Sequence, residues 1–138
     1  MRALHRNSGS GDSAYICVAQ FNGDTAANYS YHYLRGNGSA ASAGASAPDS
    51  YVLAGYEVAS NTSALGFGVF VFDVLDYANT NKYKTVRSLT GADLNGSGAL
   101  DFYSGNWRST NAISSIKFYY SANNVAQYSH FALYGIKA

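Results

Sequence analysis

The chain has 138 residues, with nine Lys and Arg against eight Asp and Glu and a formal net charge of +1, enough length for one domain to bury a core without help from disulfides or metals. The basic residues are scattered, which speaks against a nucleic-acid footprint. No apolar run approaches the ~18 residues of a membrane span, and the lone Cys17 rules out an internal disulfide scaffold.

Residues 1–13 read as a flexible N-terminal arm: basic, then rich in Ser and Gly, with little to bury except Leu4, or alternatively an arm laid on a neighbour. No apolar stretch follows the basic residues of MRALHRNSGSGDS as a secretory signal would, which predicts a protein made in a cytoplasm. From Ala14 on, period two dominates, and residues 14–138 read as one β-sandwich domain. Strands are predicted over Ala14–Phe21, Asn28–Arg35, Tyr51–Val58, Leu65–Asp73, Tyr83–Leu89, Ala99–Ser104, Ala112–Tyr120 and Tyr128–Lys137. Turn chemistry separates them, including Asn22-Gly23-Asp24, Gly36-Asn37-Gly38, Ser60-Asn61-Thr62, Asn79-Thr80-Asn81 and Asn95-Gly96-Ser97-Gly98, where Gly and Asn supply positive φ. The low-complexity run GNGSAASAGASAPD, residues 36–49, reads as a loop. Together these features predict an all-β fold, a jelly-roll-like antiparallel β-sandwich of about eight strands.

Faces follow from alternation. Ile116 and Phe118 fall on one side of their strand and Lys117 and Tyr119 on the other. In Leu65–Asp73 both phases are apolar, Phe67, Val69 and Val71 opposite Phe70 and Phe72, so this strand is expected to be covered on both faces, by the second sheet or by a neighbouring subunit. In the last strand Phe131 and Leu133 are expected inward, leaving Tyr134 and Ile136 outward as protein contacts. Cys17, between Ile16 and Val18, reads as a small buried hydrophobe.

Candidate chemistry is sparse. Asp93, Asn95, Ser97 and Asp101, with Gly96, match the first half of an EF-hand calcium loop, but Ser104 stands where a bidentate Glu belongs and strands flank it, so a hairpin turn is the favoured reading. Asp73 and Asp76 could form a carboxylate pair, yet the polar bend beside them favours local turn hydrogen bonds. His5, His32 and His130 have no partner at ligand spacing. No nucleophile elbow, phosphate loop or dinucleotide fingerprint is present. A non-enzymatic protein with no cofactor and no metal is expected. The cluster suited to a ligand is aromatic: Tyr29, Tyr31 and Tyr33 on one strand face, and Trp107 beside Asn106 and Arg108, flat rings and amides of the kind that stack on sugars. The same residues also fit packing across a sheet or at a subunit interface.

The run Gly105-Asn106-Trp107-Arg108, the strand Ile113 to Phe118 and the ending Phe131-Ala132-Leu133-Tyr134-Gly135-Ile136-Lys137 resemble the C-terminal part of a group of tailed-bacteriophage virion structural proteins, which close on an F-x-L-Y-G-I-K strand. YHYLRGNGS and FDVLDYANTNKYKTV resemble that group's middle strands, so the likeness spans about Ala14 to Ala138. The resemblance implies a jelly-roll-like sandwich in a phage particle, as a head decoration, tail or fibre component, commonly oligomeric, with no catalytic residues to carry over. The expected partners are further copies of the chain, for instance in a trimer, and other virion proteins. The alternative is a host-surface carbohydrate-binding module built on Tyr29, Tyr31, Tyr33 and Trp107. The expected location is the virion, with neither nucleic-acid binding nor membrane insertion.

Overall fold

The computed structural model describes residues 1–9, 15–56 and 65–136. The fold is all-β: among the described residues there are ten strands in two antiparallel sheets and no helix. In chain order the strands are β1 (Arg2–His5), β2 (Ile16–Phe21), β3 (Tyr29–Gly36), β4 (Ala41–Asp49), β5 (Val52–Tyr56), β6 (Gly68–Leu75), β7 (Lys84–Asp93), β8 (Gly98–Trp107), β9 (Ile116–Tyr120) and β10 (His130–Ala132). The large sheet has seven strands in the order β10-β1-β6-β7-β8-β3-β4, and the small one has three, β5-β2-β9. The expected antiparallel sandwich is present, divided seven and three.

The small sheet is seated on the inner face of the large one by its β5 edge. Among the described residues no strand pairs with that edge, and buried hydroxyls of β7 bond to its backbone groups. Ser88 Oγ donates to the Ala54 carbonyl at 2.5 Å, and the Tyr56 N–H donates to Thr90 Oγ1 at 3.1 Å. Gly105 permits the close approach, since a Cβ there would fall 2.8 Å from Val52 Cγ1 and 2.9 Å from Val86 Cγ2. Seated this way, β2 and β5 of the small sheet are buried on both sides. On one side Cys17, Ala19 and Phe21 join Phe70, Phe72 and Trp107; on the other Val18 and Leu53 pack with Tyr103, with Tyr31, Tyr33, Tyr51 and Tyr119 around them. This is why ICVAQF reads as a nearly unbroken apolar run: every residue from Cys17 to Phe21 is buried. The one amide in the run, Gln20, is satisfied by donating from Nε2 to the Ser50 carbonyl at 2.9 Å.

Two segments expected to be irregular are strands. Arg2–His5, assigned from sequence to the flexible arm, lies inside the large sheet between β6 and β10, with Ala3 and His5 facing inward. Its four residues include two basic ones and show no apolar alternation, because an alanine and a histidine fill the inward positions. Beyond it Asn7 bridges to Val125; residues 10–13 of the expected arm lie outside the described residues. Ala41–Asp49, read as a small-residue loop, is the edge strand β4. Its small residues are what the packing demands: Tyr33 lies across Gly44, where a Cβ would fall 2.6 Å from the ring. The end of the strand predicted to Val58, the turn at Ser60 to Thr62 and Lys137 are outside the described residues.

Strand ends differ too. The strand predicted from Ala112 begins at Ile116, because Asn22 takes over the preceding residues with its side chain: Nδ2 donates to the Ala112 carbonyl at 2.8 Å, and Oδ1 accepts from the Ser114 N–H at 2.8 Å. The last strand shrinks to His130–Ala132. Phe131 does point inward, 6.4 Å from the Phe70 ring, but Leu133 is 76% exposed, since regular pairing with β1 stops one residue earlier and the alternation stops with it.

His5 carries a consequence for pH. Its ring is fully buried, Nδ1 is 2.7 Å from the Tyr120 hydroxyl, and Phe70 packs edge-on at 4.9 Å. Burial penalises the charged imidazolium and lowers the pKa from 6.5 to about 4. The folded state thus resists a proton that the unfolded chain accepts, so stability is fully present above pH 6.5 and lost as pH falls from 6.5 toward 4, by up to about 3 kcal/mol. Urea unfolding at successive pH values checks this, and His5→Gln should flatten the dependence above pH 5, roughly where carboxylates begin to protonate.

Candidate interaction surface

The aromatic residues singled out from sequence do share a face, the inner face of the large sheet. Tyr29 and Trp107 are 0% and 2% exposed. The Tyr29 hydroxyl accepts from the Phe21 N–H and donates to the Asp24 carbonyl, both at 3.0 Å. Trp107 Nε1 donates to Asp24 Oδ2 at 2.8 Å, which holds the Asp24 carboxyl below the usual carboxylate range. Phe21 sits beside both rings, 5.6 Å from Trp107 and 6.2 Å from Tyr29. These rings are core, and no sugar can stack on them. Tyr31 is half-buried and stacks on Tyr51 at 6.2 Å, while Tyr33 lies over β4. Tyr134 and Ile136 are exposed beyond the end of β10, and Tyr134 lines a groove with Met1, Phe72, Tyr77 and Ile113 at the open side of the sandwich.

The acidic candidates are dispersed. Asp93 and Asn95 form the turn between β7 and β8: the Asn95 N–H donates to Asp93 Oδ1 at 2.9 Å, and Asn95 and Gly96 take φ of 59° and 107°. Asp101 points the other way, into the protein, where it is fully buried and receives Arg35 Nε at 2.6 Å and the Tyr103 hydroxyl at 2.6 Å. Burial and the Asp101 charge push the Tyr103 phenol well above its ordinary value. Asp73 pairs with Arg87 at 3.1 Å and Asp76 with Lys82, so the two carboxylates serve separate ion pairs. Among the described residues no group of three or more His, Cys, Asp or Glu is placed to hold a metal ion. No helix among them is long and apolar enough to cross a membrane.

The outer face of the large sheet is different in kind. Register places Val71, Leu89, Phe102 and Leu34 side by side across β6, β7, β8 and β3. A second row runs Leu4, Val69, Gly91 and Leu100 across β1, β6, β7 and β8. The seven large side chains in these rows are 39% to 60% exposed. On ordinary side-chain areas that is roughly 700 Å² of apolar surface, above the ~300–600 Å² of the largest patch on a typical monomer. The charged residues lie at the margins, Arg2 at the end of the first row and the Asp73–Arg87 pair in the next. Among the described residues, the strand expected to be covered on both faces, with Phe70 and Phe72 in and Val69 and Val71 out, is covered on the inner face alone.

Sequence reading did not single out Leu34, Leu89, Leu100 or Phe102. The available signal was apolar residues in both phases of neighbouring strands, Leu100 and Phe102 alternating with Asp101 and Tyr103, and Leu89 with Val86 and Ser88. No protein-family model, no curated protein and no solved structure matches the chain.

Proposed function

We propose that this is a non-enzymatic bacteriophage virion structural protein, an accessory component on the particle surface, head decoration or tail- or fibre-associated, that assembles with copies of itself and with other virion proteins. The observation that carries the reading is the apolar outer face of the seven-stranded sheet, a surface suited to protein contact and costly to leave in water. The resemblance of the segment from Gly105 to Lys137 to virion proteins supplies the setting. The low share of charged residues, 12% of the chain, and the commitment of Asp73, Asp76 and Asp101 to ion pairs agree with a role in contact rather than chemistry. Repeated weak contacts on a particle add up through effective concentration. Burial of Tyr29 and Trp107 takes away two of the four rings of the carbohydrate-binding alternative, and Tyr31 and Tyr33, the other two, are half-buried.

The test is co-purification. Particles released from a culture whose phage genome encodes the chain are banded by density and probed by peptide mass spectrometry and antibody labelling. The chain is expected at a fixed ratio to the major particle protein. Its recovery solely in the soluble lysate would overturn the proposal.

A further inference from the structure

The occupant of the outer face is a second copy of this chain, we infer, packed sheet against sheet about a two-fold axis; the inference rests on the assembly reading above and gives it a surface. Three observations point to self-association. The first is size: roughly 700 Å² of exposed apolar side chain approaches the ~800 Å² per partner of a standard stable interface, so one face closing on its own copy suffices.

The second is shape. Over β1, β6 and β7 the face is hollowed into a groove whose floor is Gly91 and whose walls are Leu4, Val69, Val71, Leu89 and Leu100, with Arg2 and His130 lining it on the β1–β10 side. Leu100 leans over Gly91, where a Cβ would lie 3.5 Å from Leu100 Cδ1. Beside the groove Leu100, Phe102 and Leu34 stand as a ridge on β8 and β3, 49% to 60% exposed. A two-fold axis lays the ridge of each copy in the groove of the other, the reciprocal match an isologous contact requires. The third is charge: among the described residues the two rows carry none between Arg2 at the β1 end and Leu34 on β3, so no oppositely charged partner is called for, and at a net charge of +1 two copies repel little. The contact closes at two copies, in place of the trimer expected from sequence.

Sedimentation equilibrium of the purified chain over a dilution series tests this, with the double variant Leu89→Lys, Phe102→Lys and the single variant Leu100→Lys. Wild type is expected at twice the chain mass, and each variant at the mass of one chain with an unchanged far-ultraviolet circular dichroism spectrum. These side chains already face solvent, so the variants leave the core intact; should the double variant fail to fold, the single one decides. Any other wild-type mass, or a two-chain mass that persists in a folded variant, would overturn the inference. A monomeric wild type that still bands with particles sinks the two-fold contact alone, whereas a dimer disrupted by the variants but absent from particles sinks the virion reading alone.

Discussion

Arg35→Met is expected to destabilise the fold by about 3–5 kcal/mol, the range for removing one partner of a buried charged pair. The partner left behind is the Asp101 carboxylate, 0% exposed at its side chain, whereas Arg35 keeps 30% exposure. The guanidinium binds in bidentate fashion, Nε to Oδ1 at 2.6 Å and Nη2 to Oδ2 at 3.0 Å, and lies 4.7 Å from the Tyr56 ring. Without it the carboxylate keeps the Tyr103 hydroxyl and no compensating cation, and burial denies it water. The asymmetry gives a second expectation. Asp101→Leu should cost less than Arg35→Met, because the freed arginine can turn to solvent. The double variant should be more stable than Arg35→Met alone, since an apolar pair leaves no buried charge. Urea unfolding of the three variants reads the order directly. A loss below about 1 kcal/mol for Arg35→Met, the scale of an exposed ion pair, would mean that Asp101 reaches water.

This pair also shows where the sequence was legible and where it was not. Asp101 sits in a stretch that resembles a calcium loop, and nothing local reveals that β8 turns its side chain inward onto a residue 66 positions earlier. The partner is set by the register of β3 on β8, a long-range property that composition and spacing do not carry. Local signals did well where local chemistry decides. The Asn and Gly turns punctuated the chain correctly at Asn22-Gly23 and Asn95-Gly96, and the alternation of IKFYY placed Ile116 and Phe118 against the core. They failed at β1 and β4, whose inward positions are filled by Ala3, His5, Gly44 and Ser46. Such residues do not register as apolar, yet they fit because large neighbours, Phe70 and Tyr33, cover them. The aromatic stripe Tyr29, Tyr31, Tyr33 was visible as a stripe. Which way it faced was not, since inward and outward phases of an amphipathic strand look alike until its neighbours are known.

Lys84→Met is expected to cost about 3–5 kcal/mol, as charge-assisted hydrogen bonds contribute ~1.5–3 kcal/mol each and part of the loss is regained when the released carbonyls are hydrated. Lys84 is fully buried at the start of β7, and its ammonium donates to the carbonyls of Asn79 at 2.6 Å, Lys82 at 3.0 Å and Thr110 at 3.2 Å. Two of these carbonyls belong to the turn between β6 and β7, and the third to the segment leading into β9. One side chain therefore closes two irregular segments at the same end of the sandwich, beside the Trp107 backbone with which it pairs. Methionine preserves the stem's volume but presents no donor, so the segments should open locally before the sheets do. Hydrogen exchange should accordingly accelerate in residues 77–83 and 108–114 of the variant, while protection in β2, β6 and β8 falls only with global stability. Arginine should not restore the site, because a planar fork cannot reach three carbonyls converging on one point charge. If Lys84→Met unfolds at the wild-type urea midpoint, the carbonyls do not need the ammonium and the clamp is not a source of stability. The clamp lies on the inner face of β7, on the opposite phase from Leu89, so its loss is expected to lower stability without changing the mass of the assembled protein.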